Sequence, residues 1–186
     1  IDAAQAMIYN EYAQMLEATN PATGKRVTAD ELSIIDWNDE GTAMLNDAIW
    51  ADGTRLGNAD YADITTRFVA ASLEGWMHCR DNSADCVEIV LNNGSSLGAS
   101  HQAWQMNEIN GLIWPSPDGA GVMDEGLWAQ TVDVATSQGI LASAPDSGAY
   151  TTQYAEAAVE MLKNRGVDTT GKNWRRVDVT LNPGGE

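Results

Sequence analysis

The chain has 186 residues, 44% of them hydrophobic, which is enough for one ordinary domain with a core, or parts of two, and too apolar for a disordered polymer. It carries 27 acidic residues against 10 basic, a net charge of −17, and that field repels a nucleic-acid backbone and an anionic membrane surface alike. No stretch approaches the ~20 apolar residues of a membrane span, and seven Trp against one Phe allow ring recognition as well as core packing.

In chain order, residues 2–8 read as a short buried strand of small residues, with Tyr9, Asn10 and Glu11 at its C-terminal end. Residues 12–18 read as a short helix with Tyr12, Met15 and Leu16 on one side. Thr28 and Glu31 have the spacing of a capping box and start one helical turn. Residues 32–36 are a second expected strand, 37–41 a polar loop, and 43–51 an apolar, extended segment. The rest is mainly helical. Asn58 caps a helix along which Ile64, Phe68, Val69, Leu73, Trp76 and Met77 recur at helical spacing. Ser83 opens the next helix, which stops near Asn93 and Gly94. Ser100 caps a helix that runs to Trp114, stopped by Pro115 and Pro117. Residues 123–138 form another, and Thr151 or Thr152 caps the last, with Tyr154, Ala158, Met161 and Leu162 inward and Gly166 at its end. A tail follows, with a possible strand at 177–181. The visible strands make a small sheet for so many helices. The chain also opens at Ile1 without an initiating Met, so further strands are expected upstream.

Cys79 and Cys86 are the only cysteines, and Asp81-Asn82-Ser83 between them reads as a turn joining two helices. Such a turn lets the two side chains meet, so a disulfide is expected, and an even cysteine count then favours an oxidising compartment. Two other readings stay open. Free buried thiols are one. A metal site that adds His78 is the other, and it lacks a fourth ligand at a usual zinc spacing. The expectation is no metal and no cofactor.

Catalytic constellations are poorly supported. The serines between Gly94 and Gly98 are misplaced for a nucleophile elbow. His101 has no carboxylate specifically placed in the sequence to orient it, so it reads as structural. No Gly-rich loop is followed by the Lys and Ser or Thr of a phosphate site. Asp36, Asp39 and Glu40 read as a solvated acidic loop without an EF-hand pattern. One cluster stands apart. Tyr9, Asn10 and Glu11 combine an aromatic, an amide and an acid directly after a small-residue strand, where ligands sit in open α/β sheets. The competing reading is a helix start at which Asn10 and Glu11 satisfy free N–H groups.

Four segments carry a resemblance. They are 2–17, which includes Tyr9-Asn10-Glu11-Tyr12; 35–50, Ile-Asp-Trp-Asn-Asp-Glu-Gly-Thr-Ala-Met-Leu-Asn-Asp-Ala-Ile-Trp; 75–82, Gly-Trp-Met-His-Cys-Arg-Asp-Asn; and 97–108, Leu-Gly-Ala-Ser-His-Gln-Ala-Trp-Gln-Met-Asn-Glu. As an ordered set they resemble substrate-binding proteins of the nitrate, sulfonate and taurine ABC importer group, which is related to the thiamine-pyrimidine synthase family. The resemblance runs from about Ile1 to Lys172. It implies an α/β protein, part of a type II periplasmic-binding fold that is mostly helical in this region. Residues 1–40 would end the second lobe and hold the return crossover. Residues 41–186 would complete the first lobe with a tail, and most of that lobe's sheet would lie upstream. The implied function is a periplasmic solute-binding component that hands its cargo to a membrane permease and is not an enzyme. Tyr9, Asn10 and Glu11, with Trp37 at the crossover, would bind the ligand. An acid beside an aromatic suits a small nitrogen heterocycle such as a thiamine pyrimidine precursor, whereas a sulfonate or nitrate would want cationic partners. The alternative is a pyrimidine synthase-like enzyme, but the cysteine-rich run of that family has no counterpart in two cysteines. Chains lacking part of a sheet expose strand edges, so self-association is also expected.

Overall fold

A computed structural model describes residues 3–94 and 96–186; Ile1, Asp2 and Ser95, which fall within expected segments, lie outside the described residues. Six α-helices follow in order: α1 (Glu11–Glu17), α2 (Ala59–Asp81), α3 (Ser83–Asn93), α4 (Ala99–Ile113), α5 (Glu125–Ser137) and α6 (Gln153–Asn164). Single 3-10 turns occur at Ala29–Glu31, Arg55–Gly57 and Pro183–Gly185.

Their ends follow from local chemistry. The Asn58 side chain accepts the Tyr61 amide at 3.1 Å and starts α2. Asp124 accepts the Leu127 amide at 2.8 Å and caps α5. The Glu31 carboxylate accepts the Thr28 amide at 2.9 Å, which completes the expected capping box. Gly166, at φ +77°, follows α6 in a conformation that an L side chain rarely adopts. Ser100 differs from expectation: α4 starts at Ala99 with Gly98 at its cap, and the Ser100 hydroxyl takes the Asn182 amide instead.

The α/β expectation, and with it the type II periplasmic-binding fold, is overturned. Among the described residues there is no sheet, and the only β-type pairing is an isolated antiparallel bridge between Thr19 and Arg26. The physical reason is one of partners. A strand exists only when a neighbour takes its amides and carbonyls. Residues 3–8, 32–36 and 43–51 have no regular secondary structure and are largely exposed. Ile34, Ile35 and Trp50 stand 61, 67 and 85% exposed. Residues 177–181 are held by side chains instead of a strand, since Asn107 donates to the Val177 carbonyl and accepts its amide, both at 3.0 Å.

The chain forms two compact units. The first holds the residues up to Ser33, then Gly75–Pro117 and Thr170–Glu186; the second holds Ile34–Glu74 and Asp118–Thr169. The first unit has a mixed interior. Ala13, Met77, Cys86, Trp114 and Leu181 are buried, and so are the polar residues Glu17, Ser100, Gln102, Asn107, Glu108 and Asn110. Three of these six polar residues face the tail from α4. Glu108 meets Arg176 at 3.2 Å, Asn107 meets Val177, and Ser100 meets Asn182. The second unit has an apolar core of Val69, Ala70, Leu73, Ala120, Ala135, Ala158, Val159 and Leu162. The expected inward stripe of α2 is half correct: Val69, Leu73 and Met77 are buried, whereas Ile64 and Phe68 are 53 and 60% exposed.

Cys79 and Cys86 are bonded, with their Cα atoms 5.4 Å apart across the α2–α3 turn. Asn82 makes that turn, its amide reaching the His78 carbonyl at 2.7 Å. Closing so short a loop removes freedom from the unfolded chain worth about 2–3 kcal/mol. Reduction is therefore expected to lower the urea midpoint by that amount of stability. A thiol assay on denatured, unreduced protein should find no free thiol. Equal midpoints with and without reductant would show that the bridge stabilises nothing.

Candidate functional site

The site predicted from sequence sits at the start of α1, in the first unit. The chain turns at Met7, whose carbonyl accepts the amides of Asn10 at 3.1 Å and Tyr12 at 3.2 Å. The Glu11 side chain folds back and accepts the Met7 amide at 2.8 Å. That bond and Glu11's own backbone amide hold its carboxyl below the ordinary carboxylate range, against the smaller opposing effect of desolvation; Asn10 and His101 act in the same direction. The Asn10 amide donates to Glu11 Oε1 at 3.2 Å, and its Oδ1 accepts from Gln14 at 3.2 Å. Tyr9 is half-buried in the turn. The structure thus brings Tyr9, Asn10 and Glu11 together. Their hydrogen bonds are local, but neither side chain caps a helix N–H as the helix-start reading expected: Asn10 makes no side-chain cap bond, and Glu11 takes the Met7 amide ahead of the helix.

Trp37 is placed differently. It belongs to the second unit, 54% exposed, in a turn where its carbonyl accepts the Thr42 amide at 2.8 Å and Asp36 accepts the Asn38 amide at 2.8 Å.

From α4, two side chains reach the α1 cluster. His101 Nε2 lies 3.0 Å from Asn10 Oδ1, and its Nδ1 lies 2.7 Å from Glu17 Oε1. The Trp104 indole donates to the Ile8 carbonyl at 2.9 Å, and its ring lies 6.3 Å from that of Tyr12. His101 and Glu17 are nearly buried, with side chains 12 and 7% exposed. The tail covers them. A Cβ on Gly185 would stand 3.0 Å from His101 Cβ and 3.1 Å from Glu17 Oε2, so only glycine fits there at its φ of +81°. Arg26 fastens the tail to α1, donating to the carbonyls of Leu181 at 2.7 Å and Leu16 at 3.1 Å.

Sequence reasoning missed the carboxylate that orients His101. Helical spacing sets Asn10, Ala13 and Glu17 on one face of α1, and the burial of Ala13 shows that this face, and not the side of Tyr12, Met15 and Leu16, carries the inward acid. Beside this cluster, Leu16, Arg26, Val27, Trp104, Val179 and Leu181 line an apolar groove of about 310 Å³. In the second unit, Trp128, Val132, Asp133, Thr136 and Pro145 line another of about 410 Å³, and the Trp128 ring is 4.8 Å from that of Tyr150. Among the described residues, no group of three or more His, Cys, Asp or Glu could hold a metal ion, and no helix is long and apolar enough to cross a membrane.

The arrangement offers binding chemistry. A carboxylate has about four lone-pair sites. Glu11 uses one oxygen for the Met7 amide and the other for Asn10, and it keeps acceptor capacity toward a ligand amino group. No family model, curated protein or solved structure matches this chain.

Proposed function

We propose that this chain is part of a solute-binding component of an importer of the nitrate, sulfonate and taurine group, and that it captures a small nitrogen heterocycle at Tyr9, Asn10 and Glu11. The observation that carries this reading is the meeting of two of the resembling segments. Residues 8–12 and 97–108 lie some ninety positions apart, yet they are joined through His101 and Asn10, Trp104 and Ile8, and the ring pair of Trp104 and Tyr12. A helix start alone would need none of these long-range bonds. An aminopyrimidine suits the cluster: its ring can lie on Tyr9 while its amino group donates to Glu11. The net charge of −17 argues against free anions as the preferred cargo. The disulfide is compatible with a periplasmic or extracellular location, and the permease of the importer would be the partner.

Calorimetry with an aminopyrimidine, taurine and nitrate tests the reading. The aminopyrimidine is expected to bind best. Glu11→Gln should weaken it by about 1.5–3 kcal/mol, roughly ten- to a hundredfold, because a charge-assisted bond is lost. Asp36→Asn, an exposed loop carboxylate of the second unit, should change affinity little. Equal losses for both variants would remove Glu11 from the site, and no binding by any of the three solutes would overturn the function.

A further inference from the structure

We propose that His101 is a positioning residue of the Tyr9–Asn10–Glu11 cluster: donating from Nε2 to Asn10 Oδ1, it holds the Asn10 NH2 toward Glu11. For its effect on a ligand, this rests on the function proposed above; for its effect on Asn10, it stands alone.

The hydrogen-bond directions force the arrangement. An ionised carboxylate only accepts, so the Asn10 atom 3.2 Å from Glu11 Oε1 is the NH2 group. The other amide atom, Oδ1, then faces His101 Nε2 at 3.0 Å and Gln14 Nε2 at 3.2 Å, and both must donate. His101 Nδ1 faces Glu17 Oε1 at 2.7 Å, a second acceptor. Nε2 therefore donates to Asn10, and the Glu17 contact on Nδ1 fixes the orientation of the ring.

α1 presents Glu17 directly and Glu11 at longer range. The tail presents Gly185, and the Glu186 carbonyl is taken by the Asn182 side chain. Arg26, between α1 and the tail, points its guanidinium at the Leu16 and Leu181 carbonyls. On α4, the neighbouring Ser100 hydroxyl is engaged with Asn182.

A ring that has lost the Nε2 hydrogen would set a lone pair against Asn10 Oδ1. Turning the amide over would cure that clash but place Oδ1 against Glu11 Oε1. A donor at this position therefore fixes which way the Asn10 amide faces Glu11, the residue assigned to the ligand.

Nitrogen-15 NMR of the whole chain tests this. The Asn10 side-chain amide signals are expected to move in His101→Ala and to return toward their native positions in His101→Gln, which keeps a donor toward Asn10 Oδ1. Amide signals unchanged in His101→Ala, or no recovery in His101→Gln, would overturn the proposal. Aminopyrimidine affinity should fall about tenfold in His101→Ala, the worth of about one hydrogen bond, and recover in His101→Gln. An equal loss of affinity in both variants overturns the link to the ligand. If no aminopyrimidine binds to the native chain, the proposed function fails while the Asn10 signals still decide the positioning role.

Discussion

Trp114→Ala is expected to destabilise the first unit by about 3–5 kcal/mol, the usual cost of emptying a buried aromatic site. Trp114 is 3% exposed at the C-terminal end of α4. Three neighbours depend on its ring. The Arg80 guanidinium lies 4.7 Å from the ring centroid, on a side chain only 5% exposed, so truncation would leave a buried charge beside a void. The Trp114 indole donates to Asn110 Oδ1 at 3.1 Å, and Asn110 is 1% exposed. Gly171 backs on the ring at a φ of +57°, where a Cβ would stand 2.6 Å from Trp114 Cε3. Trp114→Phe keeps most of the ring and loses the donor, and it should cost about 1–3 kcal/mol through the unsatisfied Asn110 oxygen. Gly171→Ala should also destabilise, through the strained backbone and the clash with the ring. Urea unfolding of the three variants gives these values. A cost under about 1 kcal/mol for Trp114→Ala would mean that the ring is not the centre of this unit.

The helices were legible because their signals are local. Asn58 and the Thr28–Glu31 pair act within three residues of themselves, and each sits where the sequence put it. The sheet was not, because a strand is a relation between two segments. Residues 177–181 have the alternation of a strand, but what meets Val177 is the Asn107 side chain from α4. A side-chain amide offers the same donor and acceptor as a backbone peptide, and nothing in residues 177–181 distinguishes the two partners. The same holds for residues 43–45, where Gln130 donates to the Ala43 carbonyl at 2.7 Å and Thr131 accepts the Leu45 amide at 2.9 Å.

The candidate site divides along the same line. Tyr9, Asn10 and Glu11 are adjacent in the chain, so the sequence could mark them as a cluster. The Glu17–His101 contact joins residues 84 positions apart. Helical spacing sets Tyr12, Met15 and Leu16 on one side of α1, whereas the structure buries Ala13 and Glu17 and leaves Met15 45% exposed. A seven-residue helix with apolar residues on two faces does not say which one turns inward, and so the acid that needs a partner could not be picked out.

In the second unit, Leu162→Ala should cost about 2–5 kcal/mol, whereas Met161→Ala, one residue earlier on α6, should stay within about 0.5 kcal/mol. Helical periodicity put Ala158, Met161 and Leu162 on one inward stripe. The structure splits that stripe: Ala158 and Leu162 are fully buried, and Met161 is 42% exposed. Positions 158 and 162 are four apart and lie one above the other. Position 161 is turned about 100° from 162 and stands at the rim of the stripe. Leu162 is also poorly placed for relief by collapse. Its neighbour Val159 already presses on Gly119, where a Cβ would stand 2.8 Å from Val159 Cγ1, and Leu73 meets Gly121 in the same way at 3.0 Å. Backbone that close to side chains leaves little room to move in and fill a cavity, which favours the upper half of the range. Denaturant unfolding of the two variants side by side is the check. Similar costs for both would mean that Met161 shares the core and that the exposed edge of α6 lies elsewhere.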